Sequence, residues 1–186
     1  NGADFKCASA DINNTASGKG CSLEFDGVND YVEIPDSSTL NPIKGITIAF
    51  WINIPNDLNC DGDSEDDNWR SILHKGDYLA ATSVGYDIAL EEERWFVFDV
   101  GTDEGKLRYR TYGYYLGPLS QWIFVACTYN ASIPDIESAA ILYVDGQPVR
   151  SGIWTSQYIG YGGSIPMPSQ SGDIIGNSYP LFINHN

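Results

Sequence analysis

The chain has 186 residues, 42% of them apolar and 13% aromatic, with a formal net charge of -15 and a pI near 4.2. That length suffices for one domain with a real core. The acidic surface repels phosphate backbones and anionic lipid, which argues against nucleic-acid and membrane-surface roles, and no apolar run is long enough to span a bilayer.

Taken in chain order, the hydrophobic period is two almost everywhere, the mark of half-buried strands. Residues 30–35 alternate, 45–55 (GITIAFWINIP) form a long strand, and 70–76 a shorter one. Residues 86–93, 94–101 and 106–115 follow, then the aromatic-rich 121–130. Within 139–154, Asp145-Gly146 is the dipeptide a type I′ hairpin turn prefers, because both central residues need positive φ. Residues 171–178 read as a late short strand, and no helix of three turns is convincing. About eleven or more short strands between turn signals predict an all-β, antiparallel β-sandwich with no long helix.

These segments carry a resemblance. LEFDGVNDYVEIP (residues 23–35) resembles the opening signature of concanavalin A-like, laminin-G-type jelly-roll domains. The family's later pieces arrive in order: residues 46–54, 70–76, 121–130, 141–149 and 172–177. The resemblance implies a single domain over residues 1–186 built as a jelly roll. It also implies a carbohydrate- or protein-binding role, often with calcium, though some relatives are glycosidases or lyases. One departure stands out: the family's closing strand, resembling I-D-E-V-R-I-Y, is absent after residue 177, and the chain ends LFINHN. An incomplete sheet would recruit a strand from another chain or close on a terminal segment of its own.

The stretch NDLNCDGDSEDDNW (residues 56–69) is the richest in oxygen ligands. Asp57, Asn59 and Asp61 occupy loop positions 1, 3 and 5, Gly62 takes the sharp turn at position 6, and Asp63 and Glu65 follow at 7 and 9. This is the spacing of an EF-hand calcium loop, although position 12 is Asn68 instead of a bidentate Glu. Asp67 or Asp66 offers a substitute. The expected cofactor is therefore Ca2+, stapling a long loop between two strands. Asp26 and Asp30 form a second possible cation site, the alternative being a turn with a strand-start cap.

Four cysteines, Cys7, Cys21, Cys60 and Cys127, fit no zinc ribbon or C-x-x-C motif. The chain starts at Asn1 with neither Met nor a signal peptide. The expectation is a processed protein, secreted or at the cell surface, with two disulfides. Of three possible pairings, Cys7–Cys21 and Cys60–Cys127 are favoured, the alternative being buried thiols. Asn13 and Asn130 open glycosylation sequons.

No nucleophile elbow, zinc-protease or phosphate-loop motif occurs, nor the E-x-D-x-E type of motif by which glycosidases of this fold resemble one another. Asp87 and Glu91 would share a strand face about 13 Å apart, and Glu91 and Glu93 about 7 Å apart. His74 reads as structural. The chain is therefore expected not to be an enzyme. For ligand binding, Arg110, Tyr112 and Tyr114 share one face with Arg108, and Trp154, Tyr158 and Tyr161 lie on a glycine-rich loop. Aromatic faces and planar hydrogen-bonders suit a sugar. The expected function is an extracellular, calcium-stabilised, lectin-like carbohydrate-binding module with a glycan or glycoconjugate as partner. The alternative is a structural subunit of a filament, adhesin or surface layer, assembled from its own copies by strand pairing.

Overall fold

The computed structural model describes residues 4–7, 15–17, 19–26, 29–54, 69–76, 84–91, 95–111, 120–149, 151–153, 156–159, 163–166 and 168–183. Two antiparallel sheets make the sandwich. The smaller contains β4 (Gly45–Asn53), β9 (Trp122–Asn130), β10 (Ala140–Val144) and β11 (Gln147–Val149), in the order β11-β10-β9-β4. The larger has seven strands: β3 (Val32–Ile34), β5 (Trp69–Lys75), β6 (Gly85–Glu91), β7 (Trp95–Thr102), β8 (Gly105–Thr111), β12 (Ser151–Ile153) and β15 (Leu181–Ile183). Their order is β12-β8-β7-β6-β5-β15-β3. Two separate hairpins pair β1 (Asp4–Cys7) with β2 (Cys21–Glu24), and β13 (Ser156–Ile159) with β14 (Gly163–Pro166). The sole α-helix among the described residues is a single turn, Ile136–Ala139, capped by Asp135. None is long and apolar enough to cross a membrane.

Alternation explains the core. The inward positions of β6, β7 and β8 are Tyr86, Ile88, Leu90, Phe96, Phe98, Val100, Leu107 and Tyr109, all buried. They meet Ile123, Val125, Cys127 and Tyr129 of β9 and Leu142 and Val144 of β10, buried as well. Each large apolar side chain removed from water contributes about 1.5–3 kcal/mol. The inward positions of β4 differ: Ile46, Ile48, Phe50 and Ile52 are only half-buried. Among the described residues their strand has a neighbour, β9, on one side alone.

The turns follow the expected chemistry. Asp145 (φ 48) and Gly146 (φ 76) both adopt positive φ and join β10 to β11. Gly85 (φ 86) opens β6 where a Cβ would collide with the Lys75 carbonyl, so no other residue fits there. Lys75 itself is fully buried, its ammonium held by the Asp36 carboxylate at 2.8 Å and the Tyr179 carbonyl at 2.7 Å.

Three expectations are corrected or decided. The predicted strand at 171–178 is instead a connector whose one β-bridge among the described residues joins Ile174 to Thr102. Its polar groups are satisfied by side chains and isolated backbone bonds, such as Tyr129 OH to the Gly172 carbonyl at 2.7 Å. The predicted Cys60–Cys127 bridge does not form: Cys127 is a free, fully buried thiol. It points inward between Val125 and Tyr129, and burial pushes the thiol pKa well up. Cys60 lies outside the described residues. Finally, the C-terminal apolar segment pairs within its own chain, β15 lying between β3 and β5.

Candidate functional site

The outward faces of the two sheets are chemically unlike. On the large sheet, strand register aligns His74, Asp87, Asp99 and Arg108 across β5, β6, β7 and β8. Asp99 is 2% exposed. The Arg108 guanidinium donates to it through Nε and Nη2, at 2.9 and 2.7 Å, and Lys106 Nζ lies 2.9 Å away. Burial alone would raise its pKa, but Lys106 and Arg108 outweigh that and hold the carboxyl below the usual range.

Asp87 stands on the other side, 5% exposed, with His74 as its neighbour. Its Oδ1 lies 3.4 Å from His74 Nδ1. Burial, and then the charge of Asp99, push the Asp87 pKa up against the opposing pull of His74. His74 Nε2 lies 2.6 Å from the Gly76 carbonyl, so it carries hydrogen and donates. An attractive contact at Nδ1 then requires one proton between His74 and Asp87. Burial lowers the His74 pKa, but the hydrogen bond and charge of Asp87 prevail and leave it raised. Ser71 Oγ is buried without a hydrogen-bond partner, so Ser71 is not joined to this histidine as a nucleophile would be. Asp99, with both oxygens taken, is no free carboxylate either.

The outward face of the small sheet carries no charge on its paired strands. Along β4 its residues are Gly45, Thr47, Ala49, Trp51 and Asn53, and along β9 Trp122, Phe124, Ala126, Thr128 and Asn130. β10 adds Ile141 and Tyr143. Trp51 is 52% exposed and its ring packs tilted against Phe124, centroids 5.4 Å apart. At the other end lies a cavity of about 440 Å3 whose lining includes Thr47, Thr128, Asn130, Ile133, Ser138 and Ile141. Thr47 and Trp51 are separated by about 13 Å along the strand. Hydroxyl and amide groups at one end, an open indole at the other and no charge between them suit a neutral, elongated, hydroxyl-rich ligand.

The residues expected from the sequence fall as follows. Asp57, Asn59, Asp61, Asp63, Glu65, Asp67 and Asn68 lie outside the described residues, as do Tyr112, Tyr114, Trp154, Tyr161 and Asn13. For Tyr158, the backbone belongs to β13. Arg110 occupies the β8 position opposite Val97, on the same face as Arg108. Asp26 and Asp30 stabilise a turn: Asp26 Oδ1 accepts from Asn29 N–H at 3.3 Å and Asp30 Oδ2 from Asp26 N–H at 3.2 Å. Among the described residues, no three His, Cys, Asp or Glu side chains are placed to hold a metal ion. Cys21 is disulfide-bonded, and Cys7 stands opposite it in the β1–β2 ladder. Asn130 is exposed, its Oδ1 accepting from Ser132 N–H at 2.9 Å. The sequence reading missed Thr47, Trp51, Thr128 and Ile141. The signal was present: every outward position in GITIAFWIN is uncharged.

Residues 26–179 match the family model described as the concanavalin A-like lectin/glucanases superfamily, a laminin-G-type family. No curated protein matches. Among solved structures, the receptor-binding domain of botulinum neurotoxin mosaic serotype C/D aligns with 98% of this chain and 40% of its own, at a TM-score of 0.51 and 15% identity. Mouse laminin α1 domains LG4-5 align with 83% of this chain and 32% of their own, at a TM-score of 0.45 and 15% identity. This chain thus spans well under half the length of either solved chain, and the likeness to the neurotoxin domain is one of fold. With the family model covering most of its length, the chain belongs to the concanavalin A-like lectin/glucanases superfamily.

Proposed function

We propose that this chain is an extracellular, non-catalytic carbohydrate-binding module that takes a neutral oligosaccharide on the outward face of its small sheet. The observation that carries the reading is the uncharged sheet face between the cavity at Thr47, Thr128 and Asn130 and the exposed indole of Trp51. Aromatic faces pack against sugar C–H groups, and hydroxyl and amide side chains meet the hydroxyls. The superfamily's description, which includes lectins, and the receptor-binding title of the neurotoxin domain support a binding role. Calcium would be held by the loop of Asp57, Asn59, Asp61, Asp63 and Glu65, a part of the proposal that rests on ligand spacing. A Cys7–Cys21 disulfide fits an oxidising compartment.

The experiment is a screen of neutral and acidic glycans, followed by calorimetry with Trp51→Ala and Thr128→Val. Binding of a neutral oligosaccharide that either variant weakens supports the proposal. Exclusive binding of acidic glycans, or binding untouched by both variants, contradicts it. The filament reading would need a donor strand, and both described end strands, β1 and β15, pair within their own chain.

A further inference from the structure

A cation lies buried at the end of β5. Lys75 is 0% exposed, and three groups from distant parts of the chain meet its side-chain nitrogen. They are the Asp36 carboxylate at 2.8 Å, the Tyr179 carbonyl at 2.7 Å and the Asn177 side-chain carbonyl at 3.5 Å. The segments that carry these groups are bonded to one another and to β6. Ile174 N–H donates to the Ile43 carbonyl, and Gly85 N–H to the Ile175 carbonyl, both at 2.8 Å. Asn41 ties the carboxylate to the asparagine: its Nδ2 donates to Asp36 Oδ1 at 3.1 Å, and its Oδ1 accepts from Asn177 N–H at 3.1 Å.

The Asn177 carboxamide presents an electrophile to that nitrogen. Its Oδ1 accepts from Tyr179 N–H at 3.0 Å as well as from Lys75. Two donors on a carbonyl oxygen draw electron density from its carbon and stabilise an oxyanion formed there. Asn177 Nδ2 is buried, with no hydrogen-bond partner among the described residues. A Cβ at Gly85 would stand 2.5 Å from that nitrogen, so glycine at 85 leaves the space in which the carboxamide sits. The carbonyl carbon lies one bond of about 1.2 Å from Oδ1. The Lys75 nitrogen therefore starts within about 5 Å of it, and the flexible lysine stem closes the remainder. Nucleophile, electrophile and carboxylate base thus meet where the reacting nitrogens are out of water.

We propose that Lys75 and Asn177 join in an intramolecular isopeptide bond, with Asp36 as the base. Asp36 takes one proton from the Lys75 ammonium. The freed amine adds to Cγ of Asn177, and Tyr179 N–H stabilises the oxyanion. The Cγ–Nδ2 bond breaks as Nδ2 takes a proton from the newly attached nitrogen. The departing ammonia then collects the proton held by Asp36. One ammonium group and one carboxamide become one secondary amide and one ammonium ion, so no oxidant, metal or nucleotide enters the balance. The bond expels the unpaired Nδ2 and ties β5 to the connector, 102 positions later in the chain. Backbone bonds to that connector's isoleucines come singly, at Ile43, Gly85 and Gly101, so a covalent tie would change how firmly it is held.

The test is the intact mass of the folded chain, measured after denaturation and reduction. The expected mass is that of the sequence less one ammonia. Tandem mass spectrometry of a digest should show a branched peptide joining Lys75 to Asn177. Lys75→Met, Asn177→Ala and Asp36→Ala should each restore the full mass, with amide-exchange protection in β6 and β7 showing which variants are folded. If none folds, the branched peptide of the unaltered chain decides the matter. The full sequence mass in the unaltered folded chain would overturn the proposal. So would an ammonia loss mapped elsewhere, such as at Asn1-Gly2, or a loss of water joining Lys75 to Asp36. A folded Asp36→Ala chain that still forms the bond would overturn the role given to Asp36.

Discussion

The outward faces of the two sheets solve opposite problems. On the large sheet, charged groups are withdrawn from water, and a buried charge is tolerable only when paired. Asp99 is saturated by Lys106 and Arg108, and Asp87 lies 3.4 Å from His74. Such a row stiffens four strands but has few groups left to offer a ligand. The small sheet keeps its charges elsewhere and leaves Trp51, Ile141 and the hydroxyl of Thr47 toward solvent. Those groups give the fold little and remain free to bind. The difference separates stability from recognition, and substitutions on the two faces should therefore have opposite signatures.

The largest effect should come from Asp99→Ala. It removes the buried carboxylate that Lys106 and Arg108 share, at a cost of about 3 kcal/mol. Urea titration should show that loss, while oligosaccharide affinity of the folded protein stays unchanged. Calcium comes next. An ion that binds only the folded state, present at a hundred times its dissociation constant, adds about 2.7 kcal/mol. Excess chelator should lower the Tm accordingly, and superimposable melts would remove calcium from the account.

The third effect is a pH dependence of about 1 kcal/mol or less. A raised folded-state pKa means that the stability from His74 is fully present below its ordinary value of 6.5 and is lost as pH rises through the raised value. Melts across that window should show the decline, and His74→Gln should abolish it. Asp99 has the opposite sign: its depressed pKa contributes stability above about 3.8 that is lost as pH falls further. The smallest effect on stability is that of Trp51→Ala. Half-exposed on β4, it should cost about 0.5 kcal/mol or less. Its sugar affinity should nevertheless drop about tenfold, consistent with the loss of one aromatic stacking partner. A large stability loss at Trp51 would blur the distinction between the faces.

Much of the fold was legible because period-two alternation is a local property. β4, β9 and the Asp145–Gly146 hairpin lie where the pattern put them. Cys127 was legible too. It alternates with Val125 and Tyr129, which marks it as a core thiol, but the cysteine count suggested a bridge instead. Residues 171–178 misled for a different reason. Ile174 and Ile175 look like a strand, yet single bonds to three separate segments, at Ile43, Gly101 and Gly85, hold them as a connector. The charged row was not legible at all. His74, Asp87, Asp99 and Arg108 come from four strands, and only pairing register, which depends on turns and bulges such as the irregularity between Ser71 and Leu73, brings them together.

The central claim is that ligand meets the uncharged face. The most direct measurement is amide and indole NMR of the isotopically labelled chain during titration with a neutral oligosaccharide that it binds. The account predicts shifts at Thr47, Trp51, Thr128 and Ile141, with His74, Asp87, Asp99 and Arg108 unmoved. Shifts confined to the His74–Arg108 row, with the Trp51 indole silent, would contradict it.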